Sequence, residues 1–501
     1  MLRSFLKRAG SDTFKYLPVR LVPAITSLIT VPVFTRAIGA EDYGNFYLIS
    51  SAVSFAAAIA SAWISSSLVR LYWPSRKEGR LDDFTSTVLW VALASLTAVG
   101  VIGGFGAWLF RDALGADLTS LVPAGVLFLV VHHLSTTLLQ VLRAANRASA
   151  FALLSVVTTI LTTIASVALV AAFGWGSLGI IVGGVAGNAV VLPFILGQVK
   201  TEGSLAPASV SRPMLREFLS YGIPLVPVGI SAWVLVLADR YVIAAMRSSA
   251  EVGLYSVSYG LGEKIMQLVG MPLLITMTPM LMEAYEKHGQ DLAQQVQTQF
   301  TRYYLMAALP LIAGLAVGSG QFMQVFAGRE YWVAAPIMAV VSASVMCYQL
   351  ANIAGTGLGI HKRSTIIMYN TLTAAGFNLV ANIAVVPRFG YQGAAYTTLA
   401  SYLLLLGLTY TRSRPYMAWK IPWSMVARTA VSALAMAAVL WAVFAGAEPS
   451  IGMLAGMAGL ALAAYALALL ATGAIRPDER AFLGELARKA TGRGPDGGRD
   501  R

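Results

Sequence analysis

The 501-residue sequence predicts an all-α polytopic membrane protein of about fourteen transmembrane helices: two six-helix lobes related by a pseudo-two-fold axis, then two further helices. Three observations predict it. The chain is 57% hydrophobic and only 12% charged, against about 25% charged in soluble domains. Apolar runs of the roughly 20 residues needed to cross a bilayer recur from end to end. Two sets of motifs also repeat at nearly one spacing. Gly44 and Phe46 of EDYGNF match Gly253 and Tyr255 of AEVGLY, and Phe173-Gly174-Trp175 matches Phe389-Gly390-Tyr391 at a shift of 216, which also carries Arg147 to Arg363. A unit with an even helix count keeps its orientation when repeated. The axis then runs along the membrane normal, with a site between the lobes at the midplane.

The spans fall in order at 16–38, 44–69, 84–110, 118–142, 148–173 and 177–199, a first lobe over 1–199. KTEGSLAPASVSRPM, rich in Pro, Ser and Gly, reads as a polar cytoplasmic linker over 200–214. Spans at 215–246, 252–287, 294–318, 332–360, 364–386 and 393–410 make a second lobe over 215–411. Two more at 424–444 and 452–472 occupy 412–475, and 476–501 is a polar cytoplasmic tail with one amphipathic piece, DERAFLGELARKA. The N-terminus has a basic start and no small-residue cleavage site after a short apolar core. The first span is therefore read as a retained anchor.

Basic residues set the orientation. With the N-terminus inside, the inner segments hold 27 Lys and Arg and the outer loops hold five, which places both termini in the cytoplasm. The net charge of +13 follows from those inner loops and does not call for nucleic acid.

The 215–246 and 252–287 spans carry four ionisable groups: Asp239, Arg240, Glu263 and Lys264. Charges inside a membrane cost several kcal/mol unless paired or wetted, so they are functional candidates by default. Asp239 and Arg240 fit either an interfacial, snorkelling position or a cavity. Glu263 and Lys264 lie about eleven residues into their span, roughly 16 Å deep, and are read as facing a water-filled cavity, with buried ion pairing the other reading. As neighbours they point about 100° apart and are not each other's best partners.

No enzyme signature is present: no Walker lysine motif, no HExxH, no Cys/His cluster and no sizeable outer loop. Neither a catalytic residue, a metal nor a cofactor is expected. Cys347, the single cysteine, sits in an apolar run and reads as a packing residue. GVIGGFG and GTGLG lie within spans, where small residues let helices pack closely. His132 and His133 read as structural hydrogen-bonding groups. Asn378 and Asn382, one turn apart, read as bonds between helices. Pro18, Pro23 and Pro32 in the first span, and Pro224 and Pro227 in its counterpart, are paired interruptions of the kind found in moving, cavity-lining helices. Pro272 and Pro279 add further kink sites.

At this level the chain resembles a known family. VPVFTRAIGAEDYGNFYLISSAVSF is similar to the opening of the polysaccharide flippases of the MOP exporter superfamily, and ADRYVIAAMRSSAEVGLYSVSYGL to their seventh-to-eighth helix segment. HKRSTIIMYNTLTAAGFNLVANIAVVPRFGYQGAAYTTLASY resembles their eleventh-to-twelfth segment. The resemblance implies a V-shaped, MATE-like bundle working by alternating access in the bacterial inner membrane. Its substrate would be an undecaprenyl-diphosphate-linked oligosaccharide, moved from the inner to the outer leaflet for lipopolysaccharide, capsule or exopolysaccharide. A polymerase and a chain-length regulator are the implied partners. The extra helix pair also resembles the lipid II flippases of the superfamily, and a cation-coupled multidrug or small-solute antiporter shares the fold.

An unpaired diphosphate is prohibitively costly in hydrocarbon, and arginine matches phosphate bidentately. Arg20, Arg36, Arg240 and Lys264 are the expected phosphate partners, with Arg302 a further candidate. Asp239 and Glu263 are expected to balance these cations or to take up a coupling proton or sodium ion.

Overall fold

In lipid, backbone N–H and C=O groups have no water to bond, so each segment must satisfy its own. The computed structural model describes residues 19, 22–23 and 25–475; among these it contains sixteen α-helices and no strand. The start of the first span, Arg20 and the tail piece DERAFLGELARKA lie outside the described residues.

The first half holds α1 (Ile25–Ala37), α2 (Ala40–Ala60), α3 (Ala62–Lys77), α4 (Leu81–Leu109), a short α5 (Arg111–Leu114), α6 (Ala116–Ala144), α7 (Ala148–Ala171) and α8 (Gly176–Lys200). The second span is therefore broken at Ser61 (φ −130°, ψ −14°) into α2 and α3. The second half holds α9 (Arg212–Gly222), α10 (Val226–Met246), α11 (Ser249–His288), α12 (Gln290–Phe326), α13 (Ile337–Ile360) and α14 (Ser364–Ser413); α15 (Trp423–Phe444) and α16 (Ile451–Ala471) follow. Twelve of these helices are long and apolar enough to cross a membrane.

α14 accounts for two of the expected spans. Its 50 residues would run about 75 Å if straight, more than twice the hydrocarbon thickness. The chain reverses at Gly390 (φ 56°, ψ −145°). Side chains then bond across the hairpin: Asn370 to Thr409 at 3.3 Å, Asn378 to Ser401 at 3.1 Å and Thr397 to Asn382 at 2.6 Å. All three pairs straddle the Phe389–Gly390 bond symmetrically, which only an antiparallel pair allows. With that split, and with α1, the expected fourteen segments are present. Asn378 and Asn382 are the interhelical bonds that the sequence predicts.

The internal repeat is visible in the backbone. Asn146 (φ 60°) and Lys362 (φ 56°), 216 residues apart, are the described non-glycine residues with positive φ. The next residue closes the same turn in each half: Arg147 N–H to Leu142 O at 2.9 Å and Arg363 N–H to Leu358 O at 2.8 Å. Gly174 (φ 67°) and Gly390 (φ 56°) repeat at the same offset. Each of these glycine turns is held by a carboxylate from the start of a repeat-related helix. Asp42 accepts from Ser177 N–H at 3.0 Å, and Glu251 accepts from Tyr391 N–H at 2.9 Å.

The two halves meet at the end of the bundle where α1 joins α2, here called the closed end. Arg36 donates to Val325 O at 2.7 Å, Ala40 N–H to the Glu330 carboxylate at 3.0 Å, and Gly328 N–H to Thr35 Oγ1 at 3.0 Å. A buried apolar cluster runs through both halves there, from Phe34, Tyr43 and Leu48 to Tyr255, Tyr331 and Met338. At the opposite end the linker is bound to α4: Thr85 and Ser86 both donate to Ser204 O at 2.7 Å, and Ser204 N–H donates to Asp82 at 2.6 Å. α9 packs on α3 of the first half, where Ser67 donates to Phe218 O at 3.3 Å and Arg80 pairs with Glu217 at 3.1 Å. The helix then breaks through a 3₁₀ turn at Ile223–Leu225, which contains Pro224 and is followed by Pro227, before α10 packs on α2 and α14. Pro272 and Pro279 leave α11 unbroken. Many large apolar side chains on α15 and α16, among them Trp441, Ile451 and Leu462, point outward, as lipid-facing surfaces must.

Candidate functional site

Two polar groupings form on the α10–α11 pair. The first is the Asp239–Arg240 pair. α10 packs on both α2 and α14, and the two residues are only 2% and 4% exposed. Arg240 donates to Asp239 Oδ1 and to Val236 O, each at 2.9 Å. Tyr255 donates to Asp239 Oδ2 at 2.5 Å. The guanidinium also lies 5.4 Å from the Tyr255 ring centre and 5.0 Å from that of Tyr259, within cation–π range. A buried ion and counter-ion from adjacent residues is compact enough to persist in low dielectric when hydrogen bonds complete it. Asp239 and Arg240 are thus buried as a pair rather than reaching water at the surface.

The second grouping is a cavity of about 460 Å³ among α10, α11, α13 and α14. Glu263, Gln267, Tyr259, Tyr348, Gln349 and Tyr402 face it, together with Val236, Leu274 and others. Glu263 and Gln267 are one helical turn apart, and Gln267 Nε2 donates to Glu263 Oε1 at 3.0 Å. The Tyr348 and Tyr402 rings lie 5.1 Å apart at 39°, and the hydroxyls of Tyr259 and Tyr402 meet at 3.4 Å. Gln349 is steadied by Asn352, which donates to its Oε1 at 3.0 Å. Glu263 is the one charged residue in this lining.

The remaining sequence candidates disperse. Lys264 follows Glu263 on α11 but does not line the cavity; it is half-buried and has no hydrogen-bond or ion-pair partner among the described residues. Arg36 is exposed at the closed end and bridges α1 to α12. Arg302 is 2% exposed and donates to Ala474 O at 3.0 Å, just past the end of α16, where a cation meets the negative end of the helix dipole. Arg20 lies outside the described residues. A shared cationic cavity was the expectation, and the described cavity instead brings an acid together with amides and phenols. The reason is geometric: of four successive-pair charges only the Glu263 face of α11 points into the space between α10, α13 and α14.

Sequence reading missed Tyr348, Gln349 and Tyr402. A signal existed: Tyr348-Gln349 is a polar pair in the middle of an apolar span, as unusual there as the charges were. His132 bonds to Asn188 at 3.3 Å and stacks on Phe128, the structural role expected of it. Cys347 is buried in an apolar cluster.

A family model described as polysaccharide biosynthesis protein matches residues 10–284. The probable low-salt glycan biosynthesis flippase of Haloferax volcanii is 20% identical over 430 residues, 86% of this chain and 89% of that protein. The lipid II flippase MurJ, solved in an inward closed conformation, superposes with a TM-score of 0.70 at 12% identity, over 91% of this chain and 97% of that one. An inward-facing MATE multidrug resistance transporter of the MOP superfamily gives 0.60 at 15% identity, over 80% and 94%. The fold is the one seen in MurJ and the MATE transporter, as the sequence resemblance implies.

Proposed function

Since the chain belongs to the polysaccharide biosynthesis protein family, we propose that it is a flippase carrying undecaprenyl-diphosphate-linked oligosaccharide from the inner to the outer leaflet of a bacterial plasma membrane. The observation that carries this reading is the family match itself, which runs through residue 284 and so takes in Asp239, Arg240, Glu263 and Lys264.

In this reading the closed end is the outer one, which the basic-residue distribution supports. Opening it parts Arg36 from Val325, Ala40 from Glu330 and Thr35 from Gly328. Each such bond is worth about 0.5–1.5 kcal/mol net, so their sum is within reach of a ligand-driven shift. The break at Ile223–Leu225, which contains Pro224 and is followed by Pro227, serves as hinge, because α9 packs on the first half whereas α10 packs on α14 of the second half as well as on α2. Lys264 is the phosphate partner of choice, since Arg36, Arg240 and Arg302 are already engaged, and Arg20 stands as a second. Glu263 is the group best placed to exchange a coupling proton or sodium ion.

The test is a deletion strain. Finished lipid-linked repeat units should accumulate on the inner leaflet; normal translocation would overturn the reading. One observation favours a second reading. A cavity of one carboxylate and three tyrosines also suits an organic cation, as a multidrug antiporter would need. Proton- or sodium-linked efflux of such a cation, with lipid-linked glycan unaffected, would select it.

A further inference from the structure

We propose that the cavity around Glu263 is a sugar subsite: it holds a monosaccharide unit of the lipid-linked glycan, while the diphosphate lies outside it. The inference rests on the flippase reading and adds a division of labour within it.

The lining argues for it by chemistry. A pyranose has apolar C–H faces and a rim of hydroxyls. Tyr348 and Tyr402, tilted rings 5.1 Å apart, offer apolar wall to the faces. Gln349, Gln267 and Glu263 offer donors and acceptors to the rim. Their free valences are limited in a useful way. Glu263 Oε1 and Gln349 Oε1 already accept bonds from Gln267 and Asn352, so both side chains are held in place with Glu263 Oε2 and the Gln349 amide N–H groups left to the ligand. A fixed set of this kind loses little entropy on binding. The volume of about 460 Å³ falls within the about 300–1,000 Å³ usual for small-molecule sites.

Charge excludes the alternative placement. A diphosphate beside Glu263 would face a carboxylate, and the lining offers no cation against it. Lys264 is the next residue on α11 and points about 100° away. The ligand is thus oriented by one helix turn, with its sugar toward Glu263 and its phosphates toward the Lys264 side.

The experiment uses the full chain in lipid nanodiscs with two probes: undecaprenyl diphosphate, and undecaprenyl diphosphate carrying an N-acetylglucosamine disaccharide. The wild type should bind the glycosylated probe at least 10-fold more tightly. Tyr348→Ala and Gln349→Ala should each cut that ratio to about two or less through weaker binding of the glycosylated probe alone. Leu462→Ala, on the lipid-facing surface, is the control that keeps the ratio. Unchanged ratios in both cavity variants would overturn the subsite while leaving the flippase reading standing. Failure of the wild type to bind either probe would overturn both. Displacement of the glycosylated probe by tetraphenylphosphonium, abolished in Glu263→Gln, would assign the cavity to organic cations and overturn the subsite as well.

Discussion

Gly44 and Gly253 occupy the crossing of α2 and α11, and each sits against the backbone of the opposite helix. A Cβ on Gly44 would lie 1.8 Å from Ser249 O, and one on Gly253 would lie 2.0 Å from Ala40 O. The two glycines are repeat-related, so the helices that cross at the junction of the halves are themselves counterparts. A symmetric contact of this kind lets the halves touch without either contributing a side chain that must later be withdrawn.

Gly44→Ala should therefore disfavour the closed arrangement without unfolding either half. Overpacking of one methyl costs about 1–3 kcal/mol, which corresponds to about a 5- to 150-fold shift in population. Spin labels at Ala37 and Arg329, both exposed on opposite halves, read it out. The distance distribution should broaden toward longer values, and glycolipid translocation should fall by at least 10-fold. An unchanged distribution would show that the crossing does not set the closure.

The glycine turns predict an asymmetry between repeats. Gly174 and Gly390 both have positive φ, but a Cβ on Gly174 meets nothing within 4 Å, whereas one on Gly390 lies 2.3 Å from Glu251 Oε2. Gly174→Ala should cost only the backbone strain, about 1–2 kcal/mol. Gly390→Ala should cost more, because it also pushes the Glu251 carboxylate off Tyr391 N–H. Thermal unfolding of the two purified variants should rank Gly390→Ala clearly below Gly174→Ala.

Most of the fold was legible because lipid imposes a length and a composition on every span, and the turn motifs at 146–147 and 362–363 carry a backbone geometry that only certain sequences tolerate. The break at Ile223–Leu225 was marked by Pro224 and Pro227, but the break at Ser61 was not: Ser61 keeps the N–H to Ala57 O bond of a continuous helix at 2.9 Å, and no breaker residue marks it. The site was half legible. Hydropathy exposes a charge in a span but not its direction, so a cavity was expected beside both Glu263 and Lys264, and the tyrosines and amides that share it with Glu263 were not named. Arg240 and Arg302 look alike in sequence, yet Asp239 and the carbonyl of Ala474 had already claimed them. Partners 172 residues away, as Ala474 is from Arg302, leave no local signal.

Asp239→Asn should be among the most destabilising conservative changes in the chain. It removes the counter-charge from a guanidinium that is 4% exposed, and breaking one side of a buried pair typically costs about 3–5 kcal/mol. The double change Asp239→Asn with Arg240→Met should recover much of that loss, since no uncompensated charge is left behind. Purified yield and unfolding midpoint of the single and double variants measure it. A double variant less stable than Asp239→Asn alone would mean that Arg240 is held chiefly by the Tyr255 and Tyr259 rings.

The Asn378–Asn382 pair makes a finer prediction about α14. Asn382 Nδ2 donates to Asn378 Oδ1 at 3.0 Å and its Oδ1 accepts from Thr397, so Asn382→Ala removes two bonds across and along the hairpin. Thr397 can fall back on Ala394 O, which it already reaches at 3.0 Å, so only Asn378 is left short. Interhelical hydrogen bonds in membranes average about 0.6 kcal/mol and reach about 1.7, so Asn382→Ala should cost about 1–2 kcal/mol. Asn378→Ala should cost a similar amount, because Ser401 keeps its bond to Thr397 O at 2.6 Å. The double variant should then cost less than the two singles together, since one bond is counted in both. Strict additivity in a double-mutant cycle would show that the two asparagines act separately and that the Phe389–Gly390 turn alone sets the register of the hairpin.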